Sequence, residues 1–161
     1  MRDEYVKYRI ERNNPRTDLE NTWRLARLPG LGPDNISFII RLIHQLLPTK
    51  ERVARTRPNG NPNCKALGCQ DNAEEDLTHA LIYCQGNDGV GVDLLEGLRA
   101  VQPGLQGDAL LRLEFRVEEV LELPVVWLTA CVLRTVWTLR QANTRIRHYL
   151  VRSQLEAEVN H

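Results

Sequence analysis

The stretch that decides the fold runs from Cys64 to Cys84 and reads CKALGCQDNAEEDLTHALIYC. It holds three of the four cysteines and one of the four histidines of the chain, in the spacing C-x4-C-x9-H-x4-C. Zinc in structural sites takes four nitrogen or sulfur ligands in a tetrahedron. We therefore predict one zinc ion held by Cys64, Cys69, His79 and Cys84. The alternative is three buried cysteines and a surface histidine that bind no metal.

The local sequence indicates how these ligands could converge. The first two cysteines lie in a loop rich in Asn, Gly and Pro, where both thiolates can turn towards one point. The segment EEDLTHALIYC is typical of a helix, and the acidic residues Glu74, Glu75 and Asp76 suit the positive end of its dipole. His79 and Cys84 are five residues apart and do not share an ideal helix face, so we expect Cys84 at a frayed helix end or beyond it. Four protein ligands fill the shell, which predicts a structural rather than a catalytic metal.

Upstream of the cluster the pattern is helical. A capping box beginning at Thr17 predicts a first helix. The segment PDNISFIIRLIHQLLP (33–48) predicts a second, which we expect to end at Pro48. Its apolar residues recur at helical spacing, namely Ile36, Ile39, Ile40, Ile43 and Leu47. The segment KERVAR (50–55) predicts a short helix with Thr49 as its cap.

Downstream of the cluster the pattern is also mostly helical. Residues 90–101 repeat the helical spacing, whereas residues 109–123 are ambiguous, because their alternation suits a strand and their glutamates suit a helix. Pro124 opens the most apolar segment, PVVWLTACVLRTVWTLR. It is too short and too interrupted for a membrane span, so we predict the central core helix. Asn143 and Thr144 are expected to cap a last amphipathic helix.

The fold class that we predict is mainly α, a single helical domain with a zinc-stapled CCHC loop. A chain of 161 residues with 42% hydrophobic content can bury one core. We divide it into a charged N-terminal segment (1–16), N-terminal helices (17–57), the zinc-binding loop and helix (58–86) and a C-terminal helical core (87–161). Because that core is separate in sequence, we expect metal removal to disorder residues 58–86 and spare the rest.

Composition limits the classes of function. The chain has 21 basic and 21 acidic residues, so its formal net charge is zero, whereas proteins that grip nucleic acid unaided are usually basic. No apolar run reaches the roughly 18–20 residues of a membrane span, and the charged start is not a secretory signal. We therefore expect an intracellular protein of the cytoplasm or nucleus, with no membrane partner and with reduced thiols available for metal. Motifs of serine hydrolases, P-loop proteins, zinc proteases and zinc deaminases are absent, so we expect no enzyme activity.

The charges are spread unevenly. Residues 1–60 carry 12 basic and 7 acidic side chains (+5), residues 61–123 carry 4 and 12 (−8), and residues 124–161 carry 5 and 2 (+3). The basic segment TKERVARTRPNGNPNCK contains one acid and five cations, Lys50, Arg52, Arg55, Arg57 and Lys65. Two interpretations stay open: these cations contact phosphate, or they belong to a solvated helix and loop and pair internally.

The remaining cysteine and two of the other histidines fit no metal spacing. Cys131 lies among apolar residues of the predicted core helix, so we interpret it as a small core residue. His44 and His148 are expected to be packing or surface residues.

Several of these segments together resemble a known family. GLGPDNISFIIRLIHQLLPTKERVAR, then C-x4-C, then DLTHALIYC, then VVWLTACVLRTVWTLR, is similar to the zinc-binding region downstream of the polymerase domain in non-LTR (LINE-type) retrotransposon reverse transcriptases. The resemblance covers roughly residues 23–140. The family usually separates its first two cysteines by two or three residues, and here four separate them. The matching residues are Leu47, Pro48, Thr49, Cys64, Cys69, Leu77, His79, Ala80, Leu81, Cys84, Trp137 and Arg140.

The resemblance implies a non-catalytic accessory domain that helps to hold RNA or DNA beside a polymerase. No Phe/Tyr-x-Asp-Asp motif occurs in the chain, so the polymerase domain would lie elsewhere in a larger polyprotein, or the chain would be a free-standing relic. A second hypothesis is a protein-interaction or structural module that docks on its own polymerase domain or on another partner. Zero net charge favours the second hypothesis, whereas the resemblance and the basic segment favour the first.

Overall fold

The computed structural model describes residues 24, 27, 29–114 and 119–159. The predicted charged segment (1–16) and the capping box at Thr17 lie outside the described residues. Within the described ranges the chain is helical and contains no β-strand, which confirms a mainly helical fold. The elements are α1 (Pro33–Ile43), α2 (Lys50–Ala54), a π-helical turn (His79–Tyr83), a 3-10 turn (Gln85–Asn87), α3 (Val90–Arg99), α4 (Gly107–Leu111), α5 (Glu119–Gln141) and α6 (His148–Val159).

Helix α1 forms where the sequence predicts it, but it ends before Pro48. Gln45 adopts a left-handed φ of 53°, and its N–H donates to the Leu42 carbonyl at 3.0 Å. The Leu46 N–H reaches back to the Arg41 carbonyl at 2.7 Å. These two bonds form a Schellman ending, which satisfies the last carbonyls of the helix. The helix therefore stops through its own backbone bonds rather than at the proline.

Helix α5 is the central helix, as predicted, and it contacts α1, α3, α6 and the π-helical turn. The larger hydrophobic cluster takes residues from all of these elements and from α4. Ala80, Leu81 and Ile82 of the π-helical turn have no exposed surface. Burial of a Leu or Ile side chain contributes about 1.5–3 kcal/mol. The turn between two predicted ligands is therefore part of the core.

The length of α5 corrects one expectation. Its segment Glu122–Gln141 has 20 residues and a mean hydropathy of 1.3, which by length and composition alone is enough to cross a membrane. Only residues 124–140 were judged too short and too interrupted, whereas the helix that contains them extends beyond both ends of that segment. However, 56% of its most apolar stretch is buried inside the structure, as in the core helix of a globular domain.

The ambiguous stretch before α5 divides into two helical pieces. Its first part belongs to α4, and its last part already lies in α5; residues 115–118 between them are outside the description. Pro124 does not open α5 but lies inside it. A proline there removes one backbone hydrogen bond, and Pro124 itself is exposed.

The connection between α5 and α6 also differs from the prediction. Asn143 adopts a left-handed φ of 52°. The N–H groups of Asn143 and Thr144 each donate to a carbonyl in the last turn of α5, at 2.9 Å. Both residues therefore terminate α5 instead of capping α6. Helix α6 begins at His148, whose N–H donates to the Asp88 carboxylate at 3.3 Å.

One glycine allows α3 to cross the π-helical turn at close range. A Cβ atom added to Gly91 would lie 2.2 Å from the Leu81 carbonyl oxygen. No side chain fits at that distance, so only glycine permits this crossing. The contact fixes the π-helical turn against α3 as well as against α5.

Candidate metal centre

The first two predicted ligands lie on a tight backbone turn. The Cys69 N–H donates to the Ala66 carbonyl at 3.0 Å, and Gly68 between them has a φ of 86°. Positive φ at the third position of a turn is the geometry that favours glycine. The turn places Cys64 and Cys69 on one side of the loop although four residues separate them.

The chain then returns beside itself before the second pair of ligands. The Cys64 N–H donates to the Ala73 carbonyl, and the Glu75 N–H donates to the Pro62 carbonyl, both at 2.8 Å. These bonds join two arms, which we call the first arm (residues 61–69) and the second arm (residues 71–84). The candidate metal ligands of the two arms therefore face each other.

The second arm places His79 and Cys84 through a π-helical turn. The Asp76 carboxylate caps the turn by accepting a bond from the His79 N–H at 2.7 Å. The Cys84 N–H donates to the His79 carbonyl at 2.8 Å, an i to i+5 bond. Residues five apart lie on the same side of such a turn, so a spacing that does not suit an α-helix suits this geometry. Cys84 lies just past the turn, in extended backbone, where the sequence analysis expected a ligand beyond the helix end.

The four side chains form one compact cluster. Their ligand atoms all lie within 4.8 Å of one another. Cys64 Sγ is 3.7 Å from Cys84 Sγ, and Cys69 Sγ is 3.5 Å from His79 Nε2. A tetrahedral zinc ion with Zn–S bonds of about 2.3 Å and a Zn–N bond of about 2.0–2.1 Å has S···S edges of about 3.8 Å and S···N edges of about 3.6 Å. The structure therefore brings the four predicted residues together in a cluster that could hold one metal ion.

No protein-family model, curated protein or solved structure matches this chain. The likeness to the retrotransposon region therefore rests on the residues quoted in the sequence analysis. The function of the cluster has to be inferred from its own geometry and surroundings.

A buried ion pair lies directly behind the cluster. The Arg140 side chain of α5, 5% exposed, contacts the Glu75 carboxylate of the second arm at 2.6 Å. Its guanidinium also donates to Cys64 Sγ at 3.4 Å and to Asn87 Oδ1 at 3.1 Å. The Asn87 amide in turn donates to the Ala80 carbonyl at 2.8 Å. One arginine of the core helix thus binds a candidate ligand, the second arm and the turn that follows it.

Sequence analysis missed most of this network. Asn87 was not considered, Glu75 was assigned to the helix dipole, and Arg140 entered only through the family resemblance. In the structure Asp76 caps the helical segment, while Glu75 turns inwards to Arg140. The signal that could have been used was an arginine in the most apolar segment, because a buried cation requires an acidic partner.

Burial and the neighbouring Arg140 shift the pKa of the Cys64 thiol in opposite directions. Burial raises the pKa of the Cys64 thiol to about 12, and burial also raises the pKa of the Cys69 thiol. The hydrogen bond and positive charge of Arg140 act in the other direction at Cys64. Burial would lower the pKa of Arg140, but hydrogen bonds to the cysteine sulfurs hold that pKa above its ordinary value. A metal ion that binds here must displace thiol protons, and a fixed guanidinium offsets part of the resulting negative charge.

The predicted nucleic-acid-binding residues are solvent-exposed, and one of them, Lys65, lies on the first arm. Three of the four acidic residues of the second arm accept internal bonds: Asp71 accepts a bond from Gln85, while Glu75 and Asp76 are engaged as described. The two arms are joined by backbone bonds, yet among the described residues no ion pair links the acidic arm to the basic segment. The exposed cations are Lys50, Arg52, Arg55, Arg57 and Lys65.

Two of these cations nevertheless have internal partners. Arg55 forms an i, i+4 ion pair with Glu51, and the Arg52 guanidinium donates to the Gln45 carbonyl at the end of α1. Helix α2 itself forms as predicted, with the Thr49 hydroxyl accepting a bond from the Arg52 N–H at 3.3 Å. Within the described part of the chain, no ion pair involves the side chains of the other three, Lys50, Arg57 and Lys65.

The other sulfur and imidazole groups lie outside the cluster. Cys131 is a fully buried core residue of α5, as predicted. His44 is buried, and its burial lowers its pKa, so it is neutral near pH 7. His148 is exposed and bonds two carboxylates, Asp88 at 3.2 Å and Asp93 at 2.7 Å.

Proposed function

We propose that this chain is a zinc-stapled helical accessory domain that binds RNA or DNA beside a polymerase, as its resemblance to the retrotransposon region implies. The observation that carries the proposal is the position of the basic segment. Its cations are solvent-exposed, while Asp71, Glu75 and Asp76, three of the four acidic residues of the facing arm, accept internal bonds. Local positive charge of this kind can contact phosphate although the whole chain is neutral.

The chemistry of the donor set supports zinc as the metal. Three thiolates and one imidazole are soft or borderline ligands, which suit zinc and disfavour magnesium and calcium. Four protein ligands leave no open position for water or substrate, so the metal would have a structural role and no part in catalysis. Elemental analysis of the purified protein should find about one equivalent of zinc, and a well-folded protein without metal would contradict this part of the proposal.

Nucleic-acid binding is tested by salt titration of the metal-loaded chain with RNA and with DNA. Phosphate contacts give an inverse dependence of log affinity on log salt concentration. In a variant with all five cations replaced by Gln, the slope of this dependence should become smaller by roughly one unit for each lost phosphate contact. A matched control, Arg145→Gln/Arg152→Gln, removes exposed charge on the last helix and the loop before it, and should leave the slope close to that of the wild type. Equal slopes for all three proteins would contradict the proposal.

A second candidate function is docking on a protein, with the polymerase domain as the first partner to test. It is favoured by zero net charge and by large apolar side chains left exposed among the described residues. Binding to a polymerase domain that persists at high salt, with no affinity for nucleic acid, would support this function over the first. The exposed apolar residues are Leu46, Leu67, Tyr83, Val101, Leu128 and Tyr149.

A further inference from the structure

A cavity of about 250 Å³ lies beside the candidate metal centre. It is formed where the start of α2, the first arm and the end of α5 meet. Its wall includes three cations and two side-chain amides against one carboxylate. The polar residues that line it are Lys50, Lys65, Glu75, Arg140, Gln141 and Asn143.

The single carboxylate in this wall is already used. One oxygen of Glu75 contacts Arg140 at 2.6 Å, and the other accepts a bond from the Lys50 backbone N–H at 3.1 Å. Arg140 is likewise turned inwards, to Cys64 and Asn87. The groups left to meet a ligand are therefore the two lysine ammoniums and the amides at the end of α5. Such a wall suits an anion with several oxygen acceptors.

The arginines of the basic segment are less available than these lysines. The Arg52 guanidinium is bonded to the end of α1, and Arg55 is paired with Glu51. Lys50 and Lys65 come from separate parts of the chain and still line one cavity. We infer that this cavity is a phosphate-binding site, which, given the proposed function, takes a backbone phosphate of the bound nucleic acid.

A metal ion at the candidate centre would hold the two lysines in place through the backbone around them. Lys65 directly follows the candidate ligand Cys64, whose N–H is bonded to the second arm. Lys50 is tied to the second arm through the bond between its N–H and Glu75. Loss of the metal would release the first arm and separate the two ammonium groups. Phosphate binding at this cavity should therefore require the metal.

The test compares two charge-matched double variants of the metal-loaded chain, Lys50→Gln/Lys65→Gln and Arg52→Gln/Arg55→Gln. Loss of two phosphate contacts to single-stranded RNA should reduce the salt slope by about 1.4 and the affinity at 0.1 M salt by about 25-fold. We expect this loss for the lysine variant and a clearly smaller one for the arginine variant. Inorganic phosphate should shift the amide NMR signals of Lys65 and Ala66 in the wild type and leave them unchanged in the lysine variant.

The outcomes separate this inference from the proposed function. If RNA binds and the arginine variant loses as much affinity as the lysine variant, or more, the cavity is not the site although the proposed function stands. If phosphate shifts those two signals while no nucleic acid binds, the cavity is confirmed as an oxyanion site and the proposed function fails. If phosphate shifts neither signal, the inference is overturned. Unchanged thermal unfolding of the lysine variant excludes a folding defect, since both side chains are exposed.

Discussion

The ion pair behind the candidate metal centre gives the sharpest prediction for stability. Arg140→Met keeps the apolar stem of the side chain and removes the guanidinium. The Glu75 carboxylate, only 9% exposed, then loses its charged partner. Removal of one member of a buried ion pair costs about 3–5 kcal/mol, because the other charge stays buried. Since Arg140 also donates to Cys64 Sγ, we expect metal affinity to fall by about 10–100-fold, the usual cost of losing a partner of a metal ligand.

The assay is thermal or chemical unfolding of the metal-loaded protein, with a competing chelator to measure metal affinity. The expected loss of stability corresponds to a fall in Tm of about 6–20 °C for a chain of this size. Arg152→Met is the matched control, because its i, i+4 pair with Glu156 is exposed and screened by solvent, so its loss should have little effect on stability. The double variant Arg140→Met/Glu75→Gln should regain part of the stability, because no buried charge is left alone. If Arg140→Met destabilises no more than Arg152→Met, the reasoning about the buried pair is refuted.

Three further predictions follow from the same structure. Removal of the metal by a chelator should reduce hydrogen-exchange protection in α3 and α5 as well as in residues 58–86, because the turn between the last two ligands is buried in the core. If protection is lost only in residues 58–86, the expectation from sequence that the rest of the chain is spared is correct instead. Gly91→Ala places a methyl group against the Leu81 carbonyl and should destabilise the protein by about 3 kcal/mol, whereas Gly97→Ala in the same helix meets no atom within 4 Å and should stabilise it by about 0.5–1 kcal/mol in urea unfolding. Hydrogen bonds to Asp93 and Asp88 raise the pKa of His148, so its contribution to stability is present below its ordinary pKa and is lost as the pH rises through the raised value; in unfolding measured across the pH range, His148→Gln should reduce stability by up to about 1 kcal/mol near pH 5.5 and have no measurable effect once the pH is well above the raised value.

Local patterns predicted much of this fold. The apolar spacing of residues 33–48 and 90–101 identified two helices, and Thr49 was recognised as the cap of a third. These signals are local, because a helix face and a cap depend on residues within one or two turns. The end of α1 was misplaced, because Pro48 was taken as the boundary whereas backbone bonds end the helix earlier. Pro124 was taken as the start of α5, although it lies inside that helix. Asn143 was misassigned for a related reason, since its left-handed conformation closes one helix and does not open the next.

For the candidate metal centre too, local features were predicted from the sequence and contacts between distant residues were not. The spacing of Cys64, Cys69, His79 and Cys84 was enough to predict that they converge. Their surroundings depend on residues distant in sequence, such as Arg140, 65 positions after Glu75. Neither the periodicity of apolar residues nor the spacing of ligands predicts an ion pair between residues so far apart in sequence. The π-helical turn was also missed, because a five-residue spacing was compared only with the α-helical repeat.

The π-helical turn between His79 and Cys84 makes this segment intolerant of a change in length. Each residue of a helix rotates its direction by roughly 100°, so insertion of one residue would break the bond from the Cys84 N–H to the His79 carbonyl and turn Cys84 away from its position. A deletion would instead remove or rotate one of the fully buried side chains Ala80, Leu81 and Ile82, and so the core would lose part of its packing against the turn. The exposed residues 70–72 lie between the second and third ligands, outside any helical turn and outside the core. Natural relatives of this chain should therefore keep four residues between the last two ligands, while insertions and deletions accumulate between the second and the third.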